Sequence, residues 1–315
     1  MDMSVILQPI TMLFIAIVIG FVSAKTGYLK DEFRKVISTI IVKITLPLMI
    51  ITSLTEKNIT TDTAGNALLA AGSAVVVMML LGLLGYGTAT LFRLKEPTKT
   101  LHAVLSGGGN VGFLGYPIVM AVFGEAALFY AVIYGMVNDA IFWTLGVYLI
   151  NRSGGKLVGK DALKKLLNPS TISFVVGFAM LFLRLKLPPI LHETFSGMGQ
   201  LTTYLSMLFI GMTLALIDIR QIYKRVSMLA PALIKMVIVP IIVTIVFVKW
   251  GITYLAISAI VLEIAMPAQT VTSIVASEAN SDEAYAAEYI FFSTVLSLVT
   301  LPFVYYVMMI IMWTI

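Results

Sequence analysis

Ser106-Gly107-Gly108-Gly109-Asn110-Val111-Gly112-Phe113-Leu114-Gly115-Tyr116-Pro117 lies inside one apolar run. Glu263-Ile264-Ala265-Met266-Pro267-Ala268-Gln269-Thr270-Val271-Thr272-Ser273 lies inside another. The first puts five glycines, an asparagine and a proline into the length of a single membrane span. Glycine weakens a helix interior, and proline removes a hydrogen bond and clashes with the preceding turn. The second has a mid-span proline followed by amide and hydroxyl side chains. Unpaired backbone in hydrocarbon is costly, so such stretches must be buried in protein or line a wet cavity. The plain alternative is that the glycines only let helices pack closely.

The surrounding composition sets the solvent as a bilayer. Of 315 residues, 59% are hydrophobic and 12% charged, against ~25% charged in soluble domains. The mean hydropathy is +1.00. A soluble domain and a disordered chain are excluded. The net charge of +5 comes from 21 Lys and Arg against 16 Asp and Glu, spread between apolar runs, so no nucleic-acid partner is expected. With no cysteine and only two histidines, His102 and His192, no metal site or cofactor is expected. No phosphate-binding loop of the ATPase type is present, which argues against ATP-driven pumping by this chain.

A membrane helix needs ~20 mostly apolar residues. Ten candidates lie near 5–24, 36–54, 67–92, 102–123, 126–150, 170–187, 200–217, 228–249, 253–277 and 288–312. The fold class is therefore all-α and integral to the plasma membrane, with ten transmembrane helices and several passes. The first segment has no basic residue before it and reads as a retained helix. Fifteen of the 21 Lys and Arg fall in one alternate set of loops. Four (Lys57, Arg184, Lys186, Lys249) fall in the opposite set, and Lys43 and Lys235 fall inside spans. The basic set is predicted to be cytoplasmic, which puts both termini outside.

The 151–169 loop, predicted to be a cytoplasmic linker, divides the chain into 1–150 and 170–315. The two halves begin alike. Leu7-Gln8-Pro9-Ile10-Thr11-Met12-Leu13-Phe14 and Leu167-Asn168-Pro169-Ser170-Thr171-Ile172-Ser173-Phe174 share four of eight residues. Five spans per half is an odd number, so two copies would sit inverted, as in many secondary carriers. The interrupted spans, helices 4 and 9, then occupy corresponding positions. Interrupted helices at corresponding positions point to a substrate site.

At ~1.5 Å per residue, both breaks fall in the cytoplasmic half of the hydrocarbon core. Gly108, Gly109, Asn110, Pro267, Gln269 and Thr270 are the expected substrate-binding residues. Gly115, Pro117 and Pro267 are the expected helix-breaking ones. Free N–H groups at such breaks suit a carboxylate. Lys43, Asp139, Lys235 and Glu263 are ionisable residues within spans, expected to face the interior and to serve coupling or charge balance. Lys43 could also snorkel toward the inner surface.

These residues resemble the auxin efflux carrier family, in particular its short microbial members. The motif Gly109-Asn110-Val111-Gly112-Phe113-Leu114-Gly115-Tyr116-Pro117 looks like that family's helix-4 crossover. Ala265-Met266-Pro267-Ala268-Gln269 looks like its helix-9 crossover. Leu46-Pro47, and Lys235 with Pro240, are similar as well, and the likeness covers essentially the whole chain. It implies a sodium/proton-antiporter-like fold in which helices 4 and 9 cross. Helices 1, 2, 6 and 7 would form a scaffold, and 3–5 with 8–10 an elevator-like transport part. It also implies a secondary carrier of small organic anions, such as malate, malonate or other carboxylates. The short 151–169 loop fits a microbial carrier better than a plant auxin carrier. Glu263 and Lys43 are unlike the residues usual at those positions. Proton or sodium coupling and a homodimer are both compatible with the sequence.

Two other readings stay open. One is a cation/proton antiporter of the same architecture, which would want acids to dominate the crossover. The other is a membrane receptor or channel. An intramembrane aspartyl protease would need two membrane aspartates, and only Asp139 lies within a span.

Overall fold

The computed structural model describes residues 3–55, 61–155, 168–216 and 226–314, with the side chains of 3–10 and 226 excepted. Most of the expected linker, 156–167, lies outside the described residues. So do the loop bases Lys57, Lys156, Lys160, Lys164, Lys165, Arg220, Lys224 and Arg225.

The described chain is helical throughout. In order the helices are α1 (Met3–Lys25), α2 (Asp31–Thr55), α3 (Thr61–Leu91), α4 (Thr98–Gly107), α5 (Val111–Phe123) and α6 (Glu125–Ser153). They continue with α7 (Pro169–Phe182), α8 (Pro189–Ala215), α9 (Ser227–Lys249), α10 (Tyr254–Ile264), α11 (Val271–Glu278) and α12 (Glu283–Thr314). Among the described residues, five of these, α2, α3, α6, α9 and α12, are long and apolar enough to cross a bilayer unaided. Shorter apolar helices account for much of the rest.

Several of the long helices are not uniformly wound. Wider π turns occupy Ile41–Thr45, Val111–Gly115, Phe142–Gly146 and Ile234–Ile238. Three of the four stand two residues before a proline, at Pro47, Pro117 and Pro240. A proline ring clashes with the carbonyl four residues earlier and supplies no N–H, and local widening accommodates both defects without ending the helix. Pro117 thus begins a regular α segment, Tyr116–Phe123, and the chain is already helical at Gly115.

The chain divides into two compact units. The first comprises residues 1–64, 112–132 and 167–218. In it α1 packs on α8 at glycines. Gly211 faces the Ile17 carbonyl and Gly20 faces the Leu208 backbone, each too closely for a β-carbon. The second half of α2 meets α7 and α8 the same way. A β-carbon at Gly177 would lie 2.6 Å from Leu54 Cδ1, and one at Gly199 would lie 2.9 Å from Met49 Cα. Close backbone approach is how helices gain packing energy where lipid is as apolar as the side chains.

The second unit comprises residues 65–111, 133–166 and 219–315. Its core gathers Leu101, Leu105, Phe142, Ile150, Met228, Tyr285 and Tyr289, all nearly inaccessible. A buried polar chain runs beside this core. Thr88 Oγ1 lies 3.0 Å from His102 Nε2, and His102 Nδ1 lies 2.5 Å from the Tyr285 hydroxyl, joining α3, α4 and α12. His102 is therefore a satisfied core histidine.

Candidate functional site

α4 stops at Gly107, and Gly108–Asn110 are extended before winding resumes at Val111. α10 stops at Ile264, and α11 starts at Val271. Each helix end leaves backbone donors and acceptors without intrahelical partners. In an apolar interior they must find partners within the protein. The two loose stretches find each other. Gly109 and Ala268 form an isolated antiparallel bridge, and the Asn110 N–H donates to the Pro267 carbonyl at 2.8 Å.

The glycines make this approach possible. A β-carbon at Gly109 would lie 3.4 Å from the Glu263 carbonyl oxygen and 3.6 Å from Met266 Cβ. One at Gly108 would lie 3.3 Å from Gln269 Oε1, so this amide oxygen sits over the bare backbone.

Side chains from three other helices hold the crossing. Asn138 on α6 accepts from the Gly109 N–H at 3.0 Å, and its Nδ2 donates to the Gly109 carbonyl at 3.4 Å. Ser293 on α12 accepts from the Ala268 N–H at 3.1 Å. Lys235, in the π turn of α9 and 3% exposed, donates its ammonium to the Gly108 carbonyl. Asn138 and Ser293 are not among the site residues expected from the sequence. Asn138 beside Asp139 is a polar pair in an apolar helix, which was a usable signal. Ser293 is one of many serines in α12, and only the fold sets it apart.

Asp139 is half-buried, and its Oδ1 accepts from Gln269 Nε2 at 3.1 Å and from Asn138 Nδ2 at 3.3 Å. A polar lattice therefore runs from α6 to the 265–270 stretch. Thr270 stands immediately before α11. Gly115 and Pro117 lie in the winding that follows the first stretch, so the unwound backbone itself is at Gly108–Asn110.

Some polar atoms at this crossing are left open. Asn110 Nδ2, Gln269 Oε1 and both carboxyl oxygens of Glu263 are buried with no hydrogen-bond partner among the described residues. Asn110 is 2% exposed and Glu263 1%. Buried polar groups are normally satisfied, and exceptions call for an explanation such as an absent ligand or ion.

Lys43 departs from its expected interior placement. It is exposed, on the π turn of α2 in the first unit. A four-carbon stem lets an ammonium leave apolar surroundings. Within the second unit, the ionisable residues at the crossing are one base, Lys235, and two acids, Asp139 and Glu263.

Asn138→Ala is expected to destabilise the purified protein by about 1–3 kcal/mol, because it strands a buried backbone N–H. Thermal unfolding in detergent measures this. An unchanged unfolding temperature would show that water or another group takes over at Gly109.

Relatives extend this reading. An uncharacterized transporter of Methanothermobacter thermautotrophicus is 25% identical over 303 residues, 94% of this chain and 96% of the relative. An uncharacterized transporter of Methanocaldococcus jannaschii is 26% identical over 214 residues, covering 66% of this chain and 69% of the relative. The uncharacterized transporter YfdV of Escherichia coli is 23% identical over 214 residues, covering 64% and 67%. A profile of the family described as "Membrane transport protein" matches residues 5–305. The chain belongs to that family of membrane transporters, the auxin efflux carriers that its crossover motifs resemble.

Proposed function

We propose that this transporter is a secondary carrier of small organic anions, such as malate, malonate or related carboxylates, working by alternating access at the crossing of residues 108–110 and 265–270. The observation that carries this is a buried base at an opened backbone, with an unpartnered amide donor two residues away. Lys235 has three N–H donors, and one is used on the Gly108 carbonyl. Two remain for a carboxylate, and Asn110 Nδ2 adds another. Pro267 has no N–H and keeps the 265–270 stretch from closing into helix. Gln269 and Thr270 line the other side of the crossing, and Gln269 Oε1 suits a hydroxyl on the substrate. Uptake of labelled mono- and dicarboxylates into proteoliposomes tests the substrate class. Uptake of none of them would overturn it.

In this reading α4 with α5, and α10 with α11, are two interrupted spans of ten, set in two inverted repeats. Spans 3–5 and 8–10 (α3–α6 and α9–α12) move against a scaffold of spans 1, 2, 6 and 7 (α1, α2, α7 and α8). The loop charges put both termini outside. Single cysteines at Ser4 and Ser153, treated with an impermeant thiol reagent in intact cells, are expected to label only at Ser4. Labelling only at Ser153 would reverse the topology and remove the inverted pairing.

Cation/proton antiport is the second reading, and one observation favours it. The open oxygens of Glu263 and Gln269 are acceptors, and two acids accompany the single base. Glu263→Gln keeps the side-chain volume and removes its proton. Under antiport it is expected to abolish sodium-driven proton movement in proteoliposomes. Under anion transport carboxylate uptake is expected to persist, and any proton dependence routed through Glu263 to disappear. Sodium-driven proton movement by the wild type, without carboxylate uptake, would favour the second reading over the first.

A further inference from the structure

A cavity of about 210 Å³ lies among α3, α4 and α6, wholly within the second unit. Met78, Gly82, Tyr86, Gly108, Phe142 and Leu145 are among its lining residues. At helical rise, Met78 to Tyr86 spans ~12 Å along α3. The inner end is the backbone of Gly107 and Gly108, the latter already holding the Lys235 ammonium. The rim is apolar and open, with Leu83 73% and Leu145 40% exposed. Within a bilayer such a rim faces hydrocarbon, and water gains nothing by entering an apolar recess.

The outer end is different. Tyr86 lines it, and the Lys99 ammonium sits 4.1 Å from the centre of the Tyr86 ring. Lys95 lies on the connection before α4, and its carbonyl accepts the Lys99 N–H at 2.9 Å. Arg93 and Lys95 are exposed on the 92–97 connection. Two acids near this end are engaged. Glu96 accepts from the Thr100 N–H, and Asp282 accepts from the Thr98 hydroxyl and the Tyr285 N–H. One base, Lys99, thus stands at the Tyr86 end of the apolar slot, and two more, Arg93 and Lys95, are exposed on the connection that leads into α4.

The geometry points to a binding site for an anionic phospholipid, with one acyl chain in the slot and its phosphate on Lys99, Lys95 and Arg93. A soluble anion would use the bases and leave the slot unfilled. A zwitterionic lipid would fill the slot and gain little from the bases. Only an anionic lipid satisfies both ends. A chain seated there ends against Gly107 and Gly108, so its occupancy would bear on the backbone that Lys235 holds. This inference does not rest on the identity of the transported substrate.

Native mass spectrometry of the purified protein, titrated with phosphatidylglycerol or phosphatidylcholine in micelles, reads the site without transport. Phosphatidylglycerol is expected to be retained in preference to phosphatidylcholine. Lys99→Gln should weaken its retention about fivefold. Gly82→Leu should weaken it about tenfold by filling the slot. A β-carbon at Gly82 meets only the Ala103 carbonyl oxygen, at 3.8 Å, so the substitution has room. Thermal unfolding checks that it folds, and Leu145→Trp at the rim replaces it if it does not. Equal retention of the two lipids would overturn the site. So would a loss in Lys99→Gln with full retention in the slot-filling variant, which would leave only surface attraction.

Discussion

Lys235→Met is expected to cut transport by about ten- to hundredfold while destabilising the purified protein by no more than about 1–3 kcal/mol. The two halves of this result have different causes. Lys235 is 3% exposed, and its ammonium donates to the Gly108 carbonyl. Replacing the buried ammonium by an apolar side chain of similar volume removes its own desolvation cost, which offsets part of the about 1–3 kcal/mol for leaving the Gly108 carbonyl without this donor. The fold therefore survives. Substrate binding does not, because the base that would face a carboxylate is gone, and hydrogen bonds to charged groups contribute ~1.5–3 kcal/mol. Uptake into proteoliposomes and thermal unfolding on the same preparation measure both. Full transport by Lys235→Met would make Lys235 a structural tether of Gly108 and nothing more.

Asn110→Ala separates ligand binding from packing. Asn110 Nδ2 is buried and unpartnered, so its removal breaks no side-chain hydrogen bond in the ligand-free protein through that atom. Its backbone N–H still reaches the Pro267 carbonyl, because alanine keeps that donor. Stability should change by less than about 1 kcal/mol. Affinity for a carboxylate substrate should fall about tenfold or more, the loss of one or two donors to a charged group. Isothermal titration of wild type and variant gives the affinity, and thermal unfolding gives the control. Unchanged affinity would return Asn110 to a packing role.

The sequence reveals the place of the crossing better than its construction. Glycine and proline act locally, so Gly107–Gly109 and Pro267 show where helices end, and the helices do end at Gly107 and Ile264. The partners that hold the loose backbone are set by tertiary packing. Asn138 and Ser293 come from helices far along the chain, and nothing within a few residues of them says where they point. Proline misleads in the opposite direction. Pro117 looked like part of the break, but a π turn before it absorbs the defect and an α segment follows. Lys43 shows the limit of counting charges within spans. Depth along a helix can be read from the sequence, but the face on which a lysine emerges follows from the winding, and a π turn shifts that face.

Counterflow most directly tests whether the crossing works as a carrier site. Proteoliposomes loaded with unlabelled malate or malonate are diluted into a trace of the labelled compound. A transient accumulation of label above its equilibrium level is expected, abolished by Lys235→Met and reduced by Asn110→Ala. A monotonic approach to equilibrium, unaffected by the internal load, would mark a channel. No entry of label for any carboxylate tested, from a protein shown to be folded, would contradict an anion carrier altogether.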